Sequence, residues 1–184
     1  MKSNILLFSC FLSIFYSIGQ NINPEDLNFK LDQNKKVIWE KTYKFEANKD
    51  SLAIILMSFL KNNVFTTTLS ITDDGFFGQS NKVFLSSTKN MAIGARNAYN
   101  ATIHIKIMDS KYLVTITEIV FDGMQFNYPI IGKKSPGPPQ FFLEDFVVKN
   151  KKPEFRINKG VMSQLSVLNK DFNSYFTITR AINN

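Results

Sequence analysis

Residues 101–121, ATIHIKIMDSKYLVTITEIVF, decide the fold of this chain because apolar and polar side chains alternate on both sides of a short polar turn. Alternation with a period of two predicts a strand with one buried face. The turn at residues 109–111 joins two such segments, so the stretch predicts an antiparallel hairpin. After Glu118 the apolar phase shifts to Ile119 and Phe121, as a β-bulge would produce.

The segments that precede this hairpin predict further strands and one helix. Residues 36–46, KVIWEKTYKFE, alternate in the same way and predict a strand. Residues 51–63 place apolar side chains at helical spacing and predict an amphipathic helix. Residues 65–71 alternate again, and the Asp-Asp-Gly sequence at residues 73–75 predicts a turn. A further strand is expected over residues 81–86.

The C-terminal part of the chain predicts a loop and a second helix. Residues 123–140 are rich in glycine and proline, which indicates a loop. Residues 141–149, FFLEDFVVK, fit a short strand or a helical turn equally well. From Lys159 onward apolar residues recur at spacings of three and four, which predicts an amphipathic helix over residues 159–181.

These elements predict an α+β fold with the order β-α-β-β-β-β-loop-α. Polar and apolar residues alternate along each strand, so each strand has one polar and one apolar face. We therefore expect an antiparallel sheet of four to five strands with the helices packed on one face. The sheet domain is predicted over residues 36–123, and a connector over 124–158 leads to the last helix. The polar residues 20–35 are predicted to form a flexible leader.

Three quoted segments resemble a known family. VIWEKTYKFEANKDSLAIILMSFLKN, TTLSITDDGFFG and IHIKIMDSKYLVTITEIVFDG together resemble the domain of unknown function with a TBP-like fold that recurs in exported proteins of Bacteroidota. The features that match are Trp39, the Asp74-Gly75 turn and Tyr112. The chain departs from that family at Asp109-Ser110, where Asp-Gly is common. The resemblance implies a fold and an export route, and it implies no activity, cofactor or catalytic residue.

Residues 1–19, MKSNILLFSCFLSIFYSIG, are typical of a secretory signal peptide, with cleavage expected between Gly19 and Gln20. A membrane anchor is the alternative, but a spanning helix needs about 20 apolar residues. Lipid attachment at Cys10 is a second alternative, although the apolar run before it is short. We expect a chain without a transmembrane span after cleavage, located in the periplasm, at the cell surface or in the medium.

The composition limits the chemistry of an exported chain. Cys10 is the sole cysteine among 184 residues, so cleavage would leave no thiol for catalysis or metal binding. The net charge is +7. Outside the cytoplasm this charge favours lipid headgroups, acidic polysaccharides or acidic proteins over nucleic acid, and we expect no nucleic-acid partner. Because the lysines are scattered, the sequence favours solubility alone over a dedicated anion site.

Catalytic patterns are weak in this sequence. His104 is the only histidine, no Gly-x-Ser-x-Gly motif is present, and Asp73 and Asp74 are interpreted as turn formers. We therefore predict no catalytic residue, no metal and no cofactor. A carboxylate hydrolase of an envelope polymer is the enzymatic alternative, and its candidate acids are Glu118, Asp122, Glu144 and Asp145.

The polar sheet face is the candidate binding surface. The alternation places on it Lys44, Thr66, Thr68, His104, Lys106 and Thr115. Threonine is common in strands, which explains much of this pattern without a function. We predict a non-catalytic interaction module of the cell envelope that binds an unidentified protein or polysaccharide. A structural, self-assembling domain is the other alternative, and the oligomeric state is left open.

Overall fold

The structure is a computed structural model that describes residues 23–123 and 140–178. It contains one antiparallel sheet of seven strands. The strands are β1 (Phe29–Leu31), β2 (Val37–Lys44), β3 (Thr66–Thr72), β4 (Gly75–Ser80), β5 (Tyr99–Met108), β6 (Lys111–Phe121) and β7 (Phe141–Phe142). The helices are α1 (Lys49–Lys61), α2 (Leu143–Val147) and α3 (Lys159–Phe176). The predicted α+β class is thus confirmed.

The strands follow one another across the sheet in the order β1-β2-β6-β5-β4-β3, and β7 pairs with the end of β6. The predicted hairpin, formed by β5 and β6, lies at the centre of the sheet. Its register passes from Thr102 opposite Thr117 to Asn100 opposite Val120. Glu118 has a φ of 49° at this point. The predicted bulge is therefore confirmed, and it keeps Phe121 on the buried side.

The hydrophobic core lies between the sheet and the helices. From the sheet, Trp39, Ile105 and Val114 are fully buried. The rings of Trp39 and Phe172 of α3 meet edge to face with their centroids 5.2 Å apart. The buried apolar residues of the two long helices are Leu52, Leu56 and Leu60 of α1 and Val161, Leu165, Leu168, Phe172 and Phe176 of α3. One face of the central strands β5 and β6 is thereby closed to solvent.

The two long helices begin at asparagine caps. The Asn48 side chain accepts a hydrogen bond from the Ser51 amide at 2.8 Å, and the Asn158 side chain accepts one from the Val161 amide at 3.0 Å. Each cap pairs an amide that would otherwise have no intrahelical acceptor. Helix α3 begins at the predicted residue. It ends at Phe176 rather than at residue 181.

The prediction of a flexible leader over residues 20–35 is wrong for its described part. Residues 24–27 form a 3-10 helix, and β1 pairs with β2 so that Phe29 lies opposite Trp39. Phe29 is fully buried, and its burial anchors the segment to the sheet edge. The segment is therefore ordered although it is mostly polar, because Phe29 is buried in the core.

The predicted strand over residues 81–86 is also wrong. The turn at Asp73 and Asp74 is tight, so β4 begins at once with Gly75 and ends at Ser80. A side chain at position 75 would place its Cβ 1.8 Å from the carbonyl oxygen of Ile105, so only glycine allows β4 to approach β5 there. Beyond β4, Val83 forms only an isolated bridge with Tyr99. Strand β4 takes the place of the expected 81–86 strand, and β1 and β7 raise the strand number to seven, above the four to five expected.

Residues 141–149 contain both of the structures that their sequence allows. Phe141 and Phe142 form β7, and the five residues of α2 follow directly. The predicted connector over 124–158 thus carries defined structure from residue 140 onward. Residues 124–139 and the predicted signal peptide, with its cleavage site at Gly19 and Gln20, lie outside the described residues.

Candidate functional site: the open face of the sheet

We call the sheet side opposite α1 and α3 the open face. It carries five of the six candidate binding residues, which are Lys44, Thr68, His104, Lys106 and Thr115. Strand alternation places them there, because their direct neighbours in sequence, such as Ile103 and Ile105, point into the core. The polar sheet face that the sequence predicts therefore exists as one continuous surface.

The centre of the open face is a row of five residues across five strands. The strand registers align Ser70, Phe77, His104, Thr115 and Glu40. Neighbouring strands lie about 5 Å apart, so the row spans about 20 Å. Phe77 is 48% exposed, and its ring stands edge to face at 6.3 Å from the His104 ring. One apolar ring therefore lies within a polar row.

A small charged cluster lies beside this row at the β3–β4 turn. The Asp74 carboxylate lies 3.8 Å from Nε2 of His104 and 3.7 Å from Nζ of Lys106. Desolvation opposes ionisation of Asp74, but the Thr72 hydroxyl and the His104 and Lys106 side chains stabilise the carboxylate. Together they hold the pKa of Asp74 below its usual value. The cluster presents one acid and two bases at the surface.

Two further polar contacts fix side chains at the other side of the open face. Nζ of Lys30 lies 2.7 Å from Oε1 of Glu40. The Thr102 hydroxyl donates a hydrogen bond of 2.7 Å to the carboxylate of Glu118. The Lys30–Glu40 ion pair is exposed and contributes little stability. Thr102 is buried, and its hydrogen bond orients the Glu118 carboxylate.

Lys44 and Thr66 lie away from the row and from the Asp74 cluster. Lys44 lies at the end of β2 opposite Lys111, so it is on the open face but far from the Asp74 cluster. Thr66 is not on the open face, so its predicted placement there is wrong. Its hydroxyl donates a 2.5 Å hydrogen bond to the Leu60 carbonyl at the end of α1. The cause is a register shift between Thr66 and Thr68, which turns Thr66 to the helix side.

The geometry around His104 does not form a nucleophile and base pair. Within residues 23–123 and 140–178, no serine or threonine hydroxyl is hydrogen-bonded to His104, whereas such catalysis needs that contact. The same part of the chain holds no group of three or more His, Cys, Asp or Glu side chains placed to bind a metal ion. The arrangement can form hydrogen bonds and ion pairs with a ligand.

The four candidate acids of the hydrolase alternative each have their own structural contact. The carboxylate of Glu118 accepts the Thr102 hydroxyl, and Asp122 pairs with Lys82 at 2.7 Å. Glu144 accepts the Val37 amide at 2.8 Å, and Asp145 accepts the Phe142 amide at 2.9 Å. The last two acids lie in the first turn of α2.

Sequence reasoning missed three residues of the open face: Glu40, Asp74 and Phe77. The local sequence indicates only a turn at Asp74, because the contact with His104 depends on β4 and β5 being neighbours. Phe77 follows Phe76 directly, and two adjacent aromatic residues in one strand must point to opposite faces. The Phe76-Phe77 pair therefore predicts one exposed aromatic ring. In the structure Phe76 is 3% exposed and Phe77 is the exposed one.

Fold and site together define an α+β domain with a single antiparallel sheet, one face of which is covered by helices while the other is polar. No protein family matches the sequence, and no curated protein matches it. The chain is similar in structure to a TBP-like protein from Parabacteroides distasonis ATCC 8503, with a TM-score of 0.47 and 14% sequence identity. The similarity covers 76% of this chain and 84% of that chain. No helix among the described residues is long and apolar enough to cross a membrane.

Proposed function

We propose that this protein is an exported, non-catalytic binding module of the cell envelope and that the open face is its contact surface. The observation that carries the proposal is the row through Phe77, His104 and Thr115, in which an exposed ring lies among oriented polar groups. The sequence of residues 1–19 supports the exported location, because it is typical of a signal peptide.

The geometry of the row favours binding because its backbone positions are already fixed. The strands that carry Phe77, His104 and Thr115 have neighbours on both sides, so little backbone conformational entropy is lost when a partner docks. Aromatic residues are enriched where proteins contact one another, and Phe77 supplies such a group. The Asp74, His104 and Lys106 cluster offers both signs of charge next to it. A polar protein or polysaccharide surface of the envelope fits this arrangement.

The hydrolase alternative has weaker support. Its four candidate acids are engaged with Thr102, Lys82 and two backbone amides, and none of these contacts places one acid opposite another. A glycosidase-type site needs two carboxyl groups on either side of one bond. We therefore retain binding as the proposed function.

The proposal is tested by affinity capture from an envelope extract that contains both proteins and polysaccharides. The immobilised wild-type protein is compared with Lys44→Ala/His104→Ala/Lys106→Ala and with a control, Lys89→Ala/Lys151→Ala/Lys170→Ala, whose exposed lysines lie outside the open face. We expect the wild type and the control to retain the same partner and the open-face variant to lose it. Retention by a folded open-face variant would exclude this face as the binding surface.

A further inference from the structure

Strand β3 is an edge of the sheet that lacks the usual protection. It has seven residues, Thr66–Thr72, and none of them is charged or proline. Natural edge strands are commonly short, charged or bulged, because their outward amides and carbonyls can pair with another chain. The opposite edge fits this rule, since β1 has only three residues and includes Lys30. In β3 the bulge lies between Thr66 and Thr68, which leaves residues 68–72 regular.

An apolar groove of about 340 Å³ runs between this edge and helix α1. Its apolar lining includes Met57, Leu69 and Ile71, and Ile71 is 70% exposed. A strand from another chain can bind at such an edge. The unpaired backbone groups of the edge strand form hydrogen bonds with it, and the apolar groove accepts its side chains.

We propose that β3 pairs with β3 of a second copy of this chain to form a two-fold symmetric dimer with one continuous sheet. A two-fold axis at Ser70 would place Thr68 of one copy opposite Thr72 of the other. The same register would place Leu69 opposite Ile71. Both pairs occur twice in such a dimer, so the strand is complementary to itself, as an isologous interface requires.

The side chains of both faces fit this register. Leu69 and Ile71 lie on the groove side and would form two apolar cross-strand pairs, which cover the exposed Ile71. On the open face, Thr68, Ser70 and Thr72 would meet hydroxyl against hydroxyl. No charged side chain of β3 opposes the contact, which matters for a chain with a net charge of +7.

The charges at the two ends of β3 favour a second copy over an unrelated strand. Lys61 lines the groove beside Thr66 and Thr67, whereas Asp73 follows the other end of the strand. Antiparallel pairing would bring Lys61 of each copy to Asp73 of the other. Within the described residues, neither side chain forms an ion pair in its own chain. The groove therefore carries a positive group at the end where the second copy supplies a negative one.

Sedimentation velocity of the purified protein, from low micromolar to near millimolar concentration, tests this dimer. We expect the wild type to reach twice the mass of one chain. Ile71→Lys should weaken the dimer by about tenfold or more, because a charge would enter the apolar pair. The matched control is Ile54→Lys, since Ile54 is 72% exposed on α1 outside the groove, and it should leave the dimer intact.

A charge exchange tests the register itself. Lys61→Asp should weaken the dimer, and the double variant Lys61→Asp/Asp73→Lys should restore it. A wild type that stays monomeric throughout overturns the proposal, as does a dimer that Ile71→Lys leaves unchanged or that Ile54→Lys weakens equally. A weakened Lys61→Asp dimer that the double variant does not restore overturns the register centred on Ser70.

Discussion

At the scale of single residues, Thr66 and Thr68 show how two similar side chains in one strand have different roles. Thr66 is buried and its hydroxyl contacts the Leu60 carbonyl, whereas Thr68 is exposed on the open face. The bulge between them causes the difference, because one inserted residue reverses the side to which the chain points. Thr66 therefore stabilises the fold through its hydrogen bond, whereas Thr68 is part of the open face.

Replacement of each threonine by valine separates these roles. Thr66→Val keeps the shape but removes the hydroxyl donor, so we expect the free energy of unfolding to fall by about 1 kcal/mol. Thr68→Val removes an exposed hydroxyl and should change it by less than about 0.5 kcal/mol. Urea unfolding of both variants makes the comparison. Equal losses of stability in the two variants would contradict the assignment of Thr66 to the helix side.

The residue scale also shows where the sequence was ambiguous. The alternation around Ile105 and Val114 predicts their burial correctly, since each lies in a strand with neighbours on both sides and one covered face. Thr66 could not be assigned in this way, because threonine fits either side and nothing in the sequence marks the bulge. The contact of Asp74 with His104 depends on long-range strand pairing, which local patterns do not encode.

At the scale of elements, α3 is joined to the central strands through tyrosines. The Tyr112 ring of β6 stacks on Tyr43 of β2 with centroids 5.0 Å apart and an interplanar angle of 11°. The Tyr112 hydroxyl donates a 2.5 Å hydrogen bond to the carbonyl of Phe176 at the end of α3. Burial raises the pKa of Tyr112 to about 12 and also raises that of Tyr43. The contact between β6 and α3 thus requires a protonated phenol.

This contact makes the protein sensitive to alkaline pH. The unfolded chain releases the Tyr112 proton near pH 10, whereas the folded chain keeps it until about pH 12. Because the unfolded state then binds fewer protons, the stability is complete below pH 10 and falls as the pH rises toward 12. Between pH 8 and pH 11 we expect Tyr112 to account for a loss of about 1 kcal/mol.

The matched variant for this measurement is Tyr112→Phe, which keeps the ring but has no proton to release. Urea unfolding at pH 8 and pH 11 should show a smaller loss for the variant than for the wild type. At pH 8 the variant should be less stable by about 1 kcal/mol, because the hydrogen bond to Phe176 is absent. An identical pH dependence in both proteins would show that Tyr112 titrates equally when folded and unfolded.

The helices and strands were predicted correctly where the periodicity of the sequence matches the burial of the side chains in the fold. The β5–β6 hairpin, its bulge and the start of α3 follow from periodicity, and all three are confirmed. Strand β1 was missed, because a three-residue strand has too few positions for a pattern and depends on burial of Phe29. The strand expected at residues 81–86 failed because Gly75 allows β4 to begin directly after the turn.

At the scale of the whole molecule, the two faces of the sheet have separate roles. One face packs against α1 and α3, while the other presents Phe77, His104 and Glu40 to the solvent. An antiparallel sheet commonly has one packed and one solvated face, so exposure alone does not define a site. The exposed ring and the Asp74 cluster are the features that go beyond this general arrangement.

Export is a separate prediction at this scale. If residues 1–19 are a signal peptide, the protein isolated from its producing cells should begin with Gln20 and occur outside the cytoplasm. N-terminal sequencing of the protein from cell fractions provides the measurement. A cytoplasmic protein that still begins with Met1 would contradict the envelope location, while the dimer proposed at β3 would be unaffected.

The most direct test of the central claim uses one cysteine on each side of the molecule. The only natural cysteine is Cys10, in the segment that we expect to be removed. A photo-crosslinker is attached to Thr115→Cys on the open face or to Ser166→Cys on the exposed side of α3. In envelope extract, we predict a cross-linked partner from position 115 and none from position 166. Equal yields from both positions, a partner from position 166 alone, or none from either would contradict the claim that the open face is the binding surface.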